Sequence, residues 1–367
     1  MNLSESRYNK YSLVCEMFES LDVMLRFDFS RTESMSRVIF ESGRLFLTGE
    51  GSSRIFPAKN FIRQLRLDTS GLNLNVTTEG CYQALEYDLS DWSVVVASNS
   101  GQTGEAVRLY KYLFETGHDR NFVVTANPEA KLFEFAMSTL VLSCGAERAV
   151  AATKSVVEQA LVYLSILHNL KKLSIENNSN NATSTNKCND KCCNKEQHNG
   201  AEKLSLKDVS ELGRRTLSAE YDLDLVKRLA GAETIYFAGR NDGTAEELSL
   251  KASEITRKRS VFLEGTYLLH GVEEVITSND VVVLVDPFKV ECDKIDELFV
   301  KKHNIPVIAI SNFATPFVTI EIPKADGYDQ FLQLFAGWNL LVQIAIQTGI
   351  NLDKPVRARK IGNKFEE

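Results

Sequence analysis

Three hydroxyl side chains and two glycines fall within nine residues of the chain, in the stretch ASNSGQTGE (97–105). An apolar run of strand type precedes this stretch, and a segment with helical periodicity follows it. Such a turn offers backbone N–H groups, the positive end of a helix dipole and the hydroxyls of Ser98, Ser100 and Thr103, which together suit a phosphate group. The lysine of a nucleotide P-loop is missing, so a P-loop is disfavoured. The alternative is an ordinary helix capped by serine.

A second set of residues has the spacing that acid–base chemistry needs. Glu247, Lys251 and Glu254 stand at positions i, i+4 and i+7 of a helical segment, so they share one helix face. A carboxylate can move a proton between two carbons, and a nearby ammonium can stabilise negative charge that develops on oxygen. The alternative is a solvated stripe of charges with an ordinary Glu–Lys pair.

The elements that would position these residues occur twice along the chain. Apolar, β-branched runs alternate with helical segments, which indicates parallel sheets covered on both faces. TIYFAGRNDG repeats the pattern of RLFLTGEGSS, and DVVVLVDP repeats that of SVVVASNS. The sequence therefore predicts an α/β protein of two tandem units, each a doubly wound parallel sheet. In the second unit the counterpart of the hydroxyl-rich turn is LVDPFKVE, which lacks the hydroxyls, so we expect one phosphate site.

The same patterns predict the division of the chain. We expect an N-terminal helical segment (1–30), a first domain (31–173), a low-complexity linker (174–204), a second domain (205–350) and a tail (351–367).

The linker contains Cys188, Cys192, Cys193 and His198 among Asn, Ser and Lys residues. Three thiols and an imidazole could bind zinc, but structural zinc sites usually show paired CxxC spacing within a folded framework. The composition favours a disordered insertion, and we predict no metal and no cofactor.

Composition excludes several classes of function. The chain has 367 residues, 44% of them hydrophobic, and a net charge of −7, which argues against a generic nucleic-acid binder. The N-terminus has no secretory signal pattern. The most apolar late segment is interrupted by Asn339, Gln343 and Gln347, so it predicts a core helix rather than a membrane span. We expect a cytoplasmic protein.

Six motifs, in this order, resemble the signature turns of the SIS (sugar isomerase) family. They are GEGSSR (49–54), SNSGQT (98–103), GAERAVAATK (145–154), AEELSLKASEI (245–255), YLLHG (267–271) and KPVRARK (354–360). Within that family they are most similar to the isomerase half of the glucosamine-6-phosphate synthases. The resemblance implies two flavodoxin-like SIS domains and a sugar phosphate as the small-molecule partner.

The resemblance also implies roles for individual residues. The phosphate would lie on Ser98, Asn99, Ser100 and Thr103, with Ser53 of the first turn nearby.

By the same comparison, Glu247 and Lys251 would be the acid and the lysine of the isomerase helix, and Glu254 the proton-carrying acid. His270 would open the sugar ring, and Lys360 would be the tail lysine. A histidine with a structural role is the alternative for His270.

Three departures from the family pattern bear on these roles. Asn99 stands where the synthases have Gln, and Ala152 stands where they have Ser. The Gly-Glu pair that precedes the ring-opening histidine in the family is replaced here by Thr266-Tyr267.

We expect no glutaminase domain, because only some thirty residues precede the first predicted domain. The expected reaction is therefore isomerisation with deamination, converting glucosamine-6-phosphate to fructose-6-phosphate and ammonia. The alternatives are a deglycase or isomerase of another 6-phosphosugar, and a sensor that binds a sugar phosphate without converting it. A dinucleotide site at GEGSSR is disfavoured, because Arg54 replaces the third glycine of GxGxxG. The resemblance also implies a homodimer in which His270 reaches the active site of the neighbouring subunit.

Overall fold

The computed structural model describes residues 1–184 and 204–366, which form two parallel sheets of five strands with helices on both faces. The strands of the first sheet are Arg44–Gly49 (β1), Asn75–Glu79 (β2), Ser93–Ala97 (β3), Asn121–Thr125 (β4) and Ser138–Val141 (β5). Those of the second are Thr234–Gly239 (β6), Arg259–Glu264 (β7), Val281–Val285 (β8), Val307–Ser311 (β9) and Val318–Glu321 (β10).

The strand order is the same in the two sheets. It is β2-β1-β3-β4-β5 in the first and β7-β6-β8-β9-β10 in the second, which is the flavodoxin-like order in both cases. All pairings are parallel. The predicted fold class, two tandem doubly wound α/β units, is confirmed.

The composition of the strands explains their places in the sheets. Strands β3, β4, β8 and β9 are buried along their whole length and are rich in valine and isoleucine. Such strands need cover on both faces, which the flanking helices provide. The edge strands β5 and β10 contain exposed residues.

Twelve α-helices are found in the described residues. They are Ser6–Asn9 (α1), Ser12–Arg26 (α2), Glu33–Ser42 (α3), Ile55–Arg66 (α4), Cys81–Ala84 (α5), Gly104–Glu115 (α6), Lys154–Ser184 (α7), Leu206–Ser218 (α8), Leu223–Gly231 (α9), Thr244–Lys251 (α10), Cys292–Ile295 (α11) and Asp329–Gln347 (α12). Among the helices of the described residues, none has the length and apolar character that crossing a membrane requires.

One continuous apolar core joins the two halves. Phe56 of α4, in the first half, packs edge-to-face against Phe331 of α12, in the second, with ring centroids 5.3 Å apart. Helix α12 is buried along most of its length, and Trp338 lies at its centre without exposure to solvent. Ion pairs strengthen the same junction, since Lys59 of α4 contacts Glu246 of α10. The halves are therefore held in a fixed arrangement, so that residues of one can serve a site on the other.

Sequence patterns predicted most of these elements, with two differences. Strand β7 was not predicted as the counterpart of β2, because only part of its length is buried and its apolar signal is weak. Helix α7 continues to Ser184, beyond residue 173 where the first domain was expected to end. The domain boundaries themselves stay a prediction. Cys188, Cys192, Cys193 and His198 lie outside the described residues.

Candidate functional site

A cavity of about 710 Å³ opens at the carboxyl edge of the first sheet. Turns that follow β1, β3, β4 and β5 form its walls, together with the end of α10 from the second half and the C-terminal tail. Open α/β sheets bind ligands at this edge, where the strand order reverses between β1 and β3. The cavity therefore lies where sheets of this order bind their ligands.

The hydroxyl-rich turn connects β3 to α6 and lies on one wall of the cavity. Ser100 and Thr103 line the cavity, and Thr103 is the residue just before α6. Gly101 has φ of +61°, and a Cβ there would lie 2.2 Å from the Cβ of Ala130. Glycine is required at this position because any side chain would push the turn away from the neighbouring loop.

Ser98 lies beneath the turn and does not line the cavity. Its Oγ is 3.0 Å from Thr103 Oγ1 and accepts a hydrogen bond from the backbone N–H of Gly101 at 3.2 Å. In this structure the side chain of Ser98 therefore shapes the turn.

Asn99 lines the cavity, but its side-chain amide is engaged within the protein. Asn99 Nδ2 donates to Glu147 Oε2 at 2.7 Å. The carbonyl of Asn99 accepts from Thr125 Oγ1 at 3.1 Å and from the N–H of Ala126 at 3.2 Å. The side chain of Asn99 therefore contacts Glu147 in this structure, and its contact with phosphate stays a prediction.

The first turn contributes two adjacent serines, of which the sequence analysis named one. Ser53 lines the cavity, and its Oγ accepts a hydrogen bond from Gln159 Nε2 at 3.3 Å. Ser52, which was missed, accepts a hydrogen bond from Lys251 Nζ at 2.8 Å. This contact ties the first half of the chain to the helix of the second half.

Glu247, Lys251 and Glu254 are brought together, as their spacing predicted. Lys251 Nζ lies 2.7 Å from Glu254 Oε2 and 3.3 Å from Glu247 Oε1. Lys251 and Glu247 are fully buried, whereas the side chain of Glu254 is 26% exposed and lines the cavity. The arrangement is a buried charge cluster with one carboxylate at the cavity surface.

Burial and charge act in opposite directions on this cluster. Burial alone would lower the pKa of Lys251, but the carboxylates of Glu254 and Glu247 outweigh it and raise that pKa, so the ammonium is retained. Burial raises the pKa of Glu247 despite the attraction of Lys251. A permanent ammonium beside Glu254 can stabilise an oxyanion that forms next to that carboxylate.

Helix geometry explains how these side chains reach the first half. Gly243, just before α10, allows α4 to come very close, because a Cβ there would lie 2.4 Å from the carbonyl oxygen of Ile55. After Lys251 the helix continues as a π-helical turn, Ala252–Thr256, which carries Glu254. Such turns are rare in proteins, and those that occur often lie at functional sites.

The counterpart of the hydroxyl-rich turn in the second half is closed by charge pairs. Asp286 follows β8 and accepts a hydrogen bond from Arg240 Nε at 2.5 Å. Arg63 of α4 lies 3.8 Å from the same carboxylate. Asp286 thus links Arg240 of the second half to Arg63 of the first, and the single phosphate site expected from the sequence stays a prediction.

The C-terminal tail closes one side of the cavity and places Lys360 there. The N–H of Gly104 donates to the carbonyl of Asn363 at 2.8 Å, and the N–H of Phe365 donates to the carbonyl of Gln102 at 2.9 Å. Lys360 Nζ donates to Glu147 Oε2 at 3.2 Å and to the carbonyl of Ala149 at 2.6 Å. Glu147 belongs to the motif GAERAVAATK, but its contacts with the tail and the hydroxyl-rich turn were not predicted.

His270, unlike the other residues predicted to act in catalysis, lies away from the cavity and from the cluster around Lys251. It is exposed, follows the short turn Tyr267–Leu269, and is not among the residues that line the cavity. Its catalytic role stays a prediction, and within one copy of the chain the cavity lacks this imidazole.

Ala152, at the position where the synthases that the motifs resemble have Ser, lines the cavity. Within the described residues, no cluster of three or more His, Cys, Asp or Glu side chains is placed to hold a metal ion.

Comparison with known proteins supports the fold. No protein-family model matches the sequence, and no curated protein matches it. Several solved structures match the whole chain in three dimensions. The C-terminal domain of glucosamine-fructose-6-phosphate aminotransferase from Francisella tularensis is 17% identical over 94% of this chain and 98% of its own, with a TM-score of 0.69.

Two further structures match over a similar extent. Tagatose-6-phosphate ketose/aldose isomerase from Escherichia coli is 16% identical over 95% of this chain and 96% of its own, with a TM-score of 0.70. Glucosamine-6-phosphate deaminase from Thermotoga maritima is 18% identical over 97% of this chain and 99% of its own, with a TM-score of 0.63. At these identities the likeness shows a shared fold, the tandem SIS fold that the sequence motifs predicted.

Proposed function

We propose that this chain, which has the tandem SIS fold of phosphosugar isomerases, interconverts the aldose and ketose forms of a sugar phosphate. One observation carries the proposal. The same cavity is lined by the hydroxyls of Ser100 and Thr103 and by the carboxylate of Glu254, which is paired with the buried ammonium of Lys251. A phosphate on the hydroxyl-rich turn would leave the sugar carbons directed into the cavity that Glu254 lines.

These groups can perform the proton transfer. Glu254 removes the proton from C2 of the open-chain aldose, and the electron pair forms a C1–C2 double bond while the aldehyde oxygen becomes a hydroxyl. Lys251 stabilises negative charge on that oxygen as it develops. Glu254 then delivers this proton to C1 while the C2 hydroxyl or amine loses a proton, which leaves a C2 carbonyl or, in an amino sugar, a C2 imine. The net change moves one proton from C2 to C1 and one from the C2 substituent to the former aldehyde oxygen.

The finer part of the proposal is that the substrate is glucosamine-6-phosphate and that the enzyme is a deaminase. Hydrolysis of the C2 imine takes up one water and releases ammonia and fructose-6-phosphate. The six matching motifs support this choice, as does the shared fold of a glucosamine-6-phosphate deaminase.

An assay of product formation tests both levels of the proposal. Purified protein is incubated with glucosamine-6-phosphate, and ammonia and fructose-6-phosphate are measured. We expect the two in equal amounts. If a ketose forms from another phosphosugar and no ammonia is released, the isomerase proposal stands and the deaminase proposal fails. Phosphosugar binding without conversion of any substrate would identify a sensor instead.

We propose further that the chain acts as a homodimer. His270 is exposed beside two exposed apolar side chains, Tyr267 (58%) and Val275 (64%). A surface of this kind can be covered by a second copy of the chain. In such a dimer each His270 would complete the cavity of the other subunit.

The hydroxyl-rich turn gives the first testable prediction. Replacing both Ser100 and Thr103 with Ala should raise the KM for the phosphosugar by at least about tenfold, because each lost hydrogen bond to a charged group costs about 1.5–3 kcal/mol. The matched control is Thr116→Ala at the other end of α6, where the hydroxyl bonds to the carbonyl of Tyr112. An unchanged KM in a folded double variant would place the phosphate elsewhere.

A further inference from the structure

The carboxylate of Glu147 accepts hydrogen bonds from four residues, which lie in three separate parts of the chain. Oε1 accepts hydrogen bonds from the N–H groups of Thr153 and Ser155 at 2.8 and 3.1 Å, at the start of α7. Oε2 accepts from Ser155 Oγ at 2.9 Å, from Asn99 Nδ2 at 2.7 Å and from Lys360 Nζ at 3.2 Å. One oxygen thus anchors Glu147 to a helix, while the other joins the hydroxyl-rich turn to the tail.

The side chain of Glu147 is fully buried, so its charge must be balanced locally. Burial alone would raise the pKa of Glu147, but the Lys360 ammonium and the amides of Thr153 and Ser155 outweigh it and lower that pKa. The carboxylate is therefore ionised and held in one orientation, so it can fix the position of a cation that it pairs with.

We infer that Glu147 is a positioning residue that holds the ammonium of Lys360 at the cavity, and that Asn99 links this position to the phosphate-binding turn. The inference rests on the proposed function for its catalytic consequence. Its structural part, the placement of the tail, can be measured without any substrate.

The donors of Lys360 show what this positioning provides. An ammonium has three N–H donors, of which Glu147 takes one and the carbonyl of Ala149 takes another. Because Lys360 lines the cavity, the remaining donor can reach a substrate oxygen. Without Glu147 the lysine would lose its charged partner and its long side chain would regain its rotational freedom.

Asn99 connects the two sides of the cavity because its own position is fixed. Its carbonyl is held by Thr125 and Ala126, so its short amide can reach Glu147 only from this conformation of the turn. A shift of the turn would remove one of the three donors on Oε2. The hydroxyl-rich turn and Lys360 are joined in this way through a single carboxylate oxygen.

The test compares Glu147→Gln with Ser155→Ala, which removes a donor to the same Oε2 but touches neither the hydroxyl-rich turn nor the tail. Hydrogen exchange of the tail amides is measured without substrate. In Glu147→Gln we expect the tail amide that bonds to Gln102, that of Phe365, to exchange at least about tenfold faster, and in Ser155→Ala no change beyond about twofold. Equal exchange in the two variants would overturn the positioning role.

Kinetics then test the catalytic consequence. Glu147→Gln should lower kcat and leave the KM for the phosphosugar within about threefold, because the phosphate donors are intact. In a Lys360→Met background the same substitution should change kcat less than about twofold, since its effect acts through Lys360. If Glu147→Gln lowers kcat by the same factor in the Lys360→Met background as in the wild-type chain, the inference is overturned. Asn99→Ala should lower kcat in the same direction.

Two outcomes are separated by this design. If the wild-type chain converts no sugar phosphate, the proposed function fails, and the exchange measurement still decides whether Glu147 positions the tail. If Glu147→Gln does not fold, Glu147→Asp keeps the charge but withdraws it from Lys360, and it should accelerate tail exchange in the same way. Unchanged exchange in Glu147→Asp would overturn the inference.

Discussion

Replacing Glu254 with Gln should lower kcat by about a hundredfold to ten-thousandfold, the range that loss of a general base commonly causes. Gln has the shape of Glu but cannot take the C2 proton. Lys251 keeps Glu247 and Ser52 as partners, so the buried ammonium stays compensated and the fold should survive. Binding of the phosphosugar should change little, because the hydroxyl-rich turn is untouched.

The measurement pairs steady-state kinetics with isotope exchange. In deuterium oxide the wild-type chain should place solvent deuterium on the carbon that receives the proton, and Glu254→Gln should lose this exchange together with turnover. The matched control is Glu246→Gln on the same helix, where the carboxylate pairs with Lys59 and does not line the cavity. If Glu254→Gln exchanges deuterium at the wild-type rate, another group carries the proton.

The sequence was sufficient for the fold because the fold depends on local patterns. The buried β-branched runs of β3 and β8 predicted central parallel strands, and their shared order along the chain predicted the duplication. The helix face of Glu247, Lys251 and Glu254 was predicted from spacing alone, and the structure brings all three together.

The site itself was harder to predict, because its contacts join distant parts of the chain. The bond between Ser52 and Lys251 spans 199 residues, and that between Glu147 and Lys360 spans 213. No periodicity records such contacts. The π-helical turn at Glu254 has no distinct sequence signal either, since it differs from an α-helix by one added residue in one turn.

Helix α10 follows β6, so its N-terminal end lies at the carboxyl edge of the second sheet, whereas Lys251 lies at its C-terminal end. Lys251 serves the cavity of the first sheet because α4 and α10 cross closely at Gly243. The cavity is therefore lined by residues of both halves, the hydroxyl-rich turn from the first and Lys251 and Glu254 from the second.

The second large effect concerns His270 and the proposed dimer. Each subunit's cavity has its own Glu254 but lacks an imidazole, and His270 is exposed elsewhere on the chain. If the site is shared, Glu254→Gln and His270→Ala chains are each inactive as homodimers. A mixed dimer has one cavity in which Glu254 of the His270→Ala chain meets the partner's His270, supplied by the Glu254→Gln chain. Its other cavity lacks both groups.

Mixing the two inactive variants should therefore restore activity. With equal amounts and random exchange of subunits, half of the dimers are mixed and each has one intact site, so about a quarter of the wild-type activity is expected. Subunit exchange is verified with a size tag on one variant, and phosphosugar binding by each variant alone shows that both are folded. A mixture of wild-type and Glu254→Gln chains, exchanged in the same way, contains one quarter wild-type dimers and one half dimers with one working cavity, so about half of the wild-type activity is expected if the cavities work independently. If the exchanged mixture of the two variants stays inactive while both bind the phosphosugar, the shared site is wrong. His270 would then act in its own chain by a movement of the turn after β7, or would have no part in catalysis.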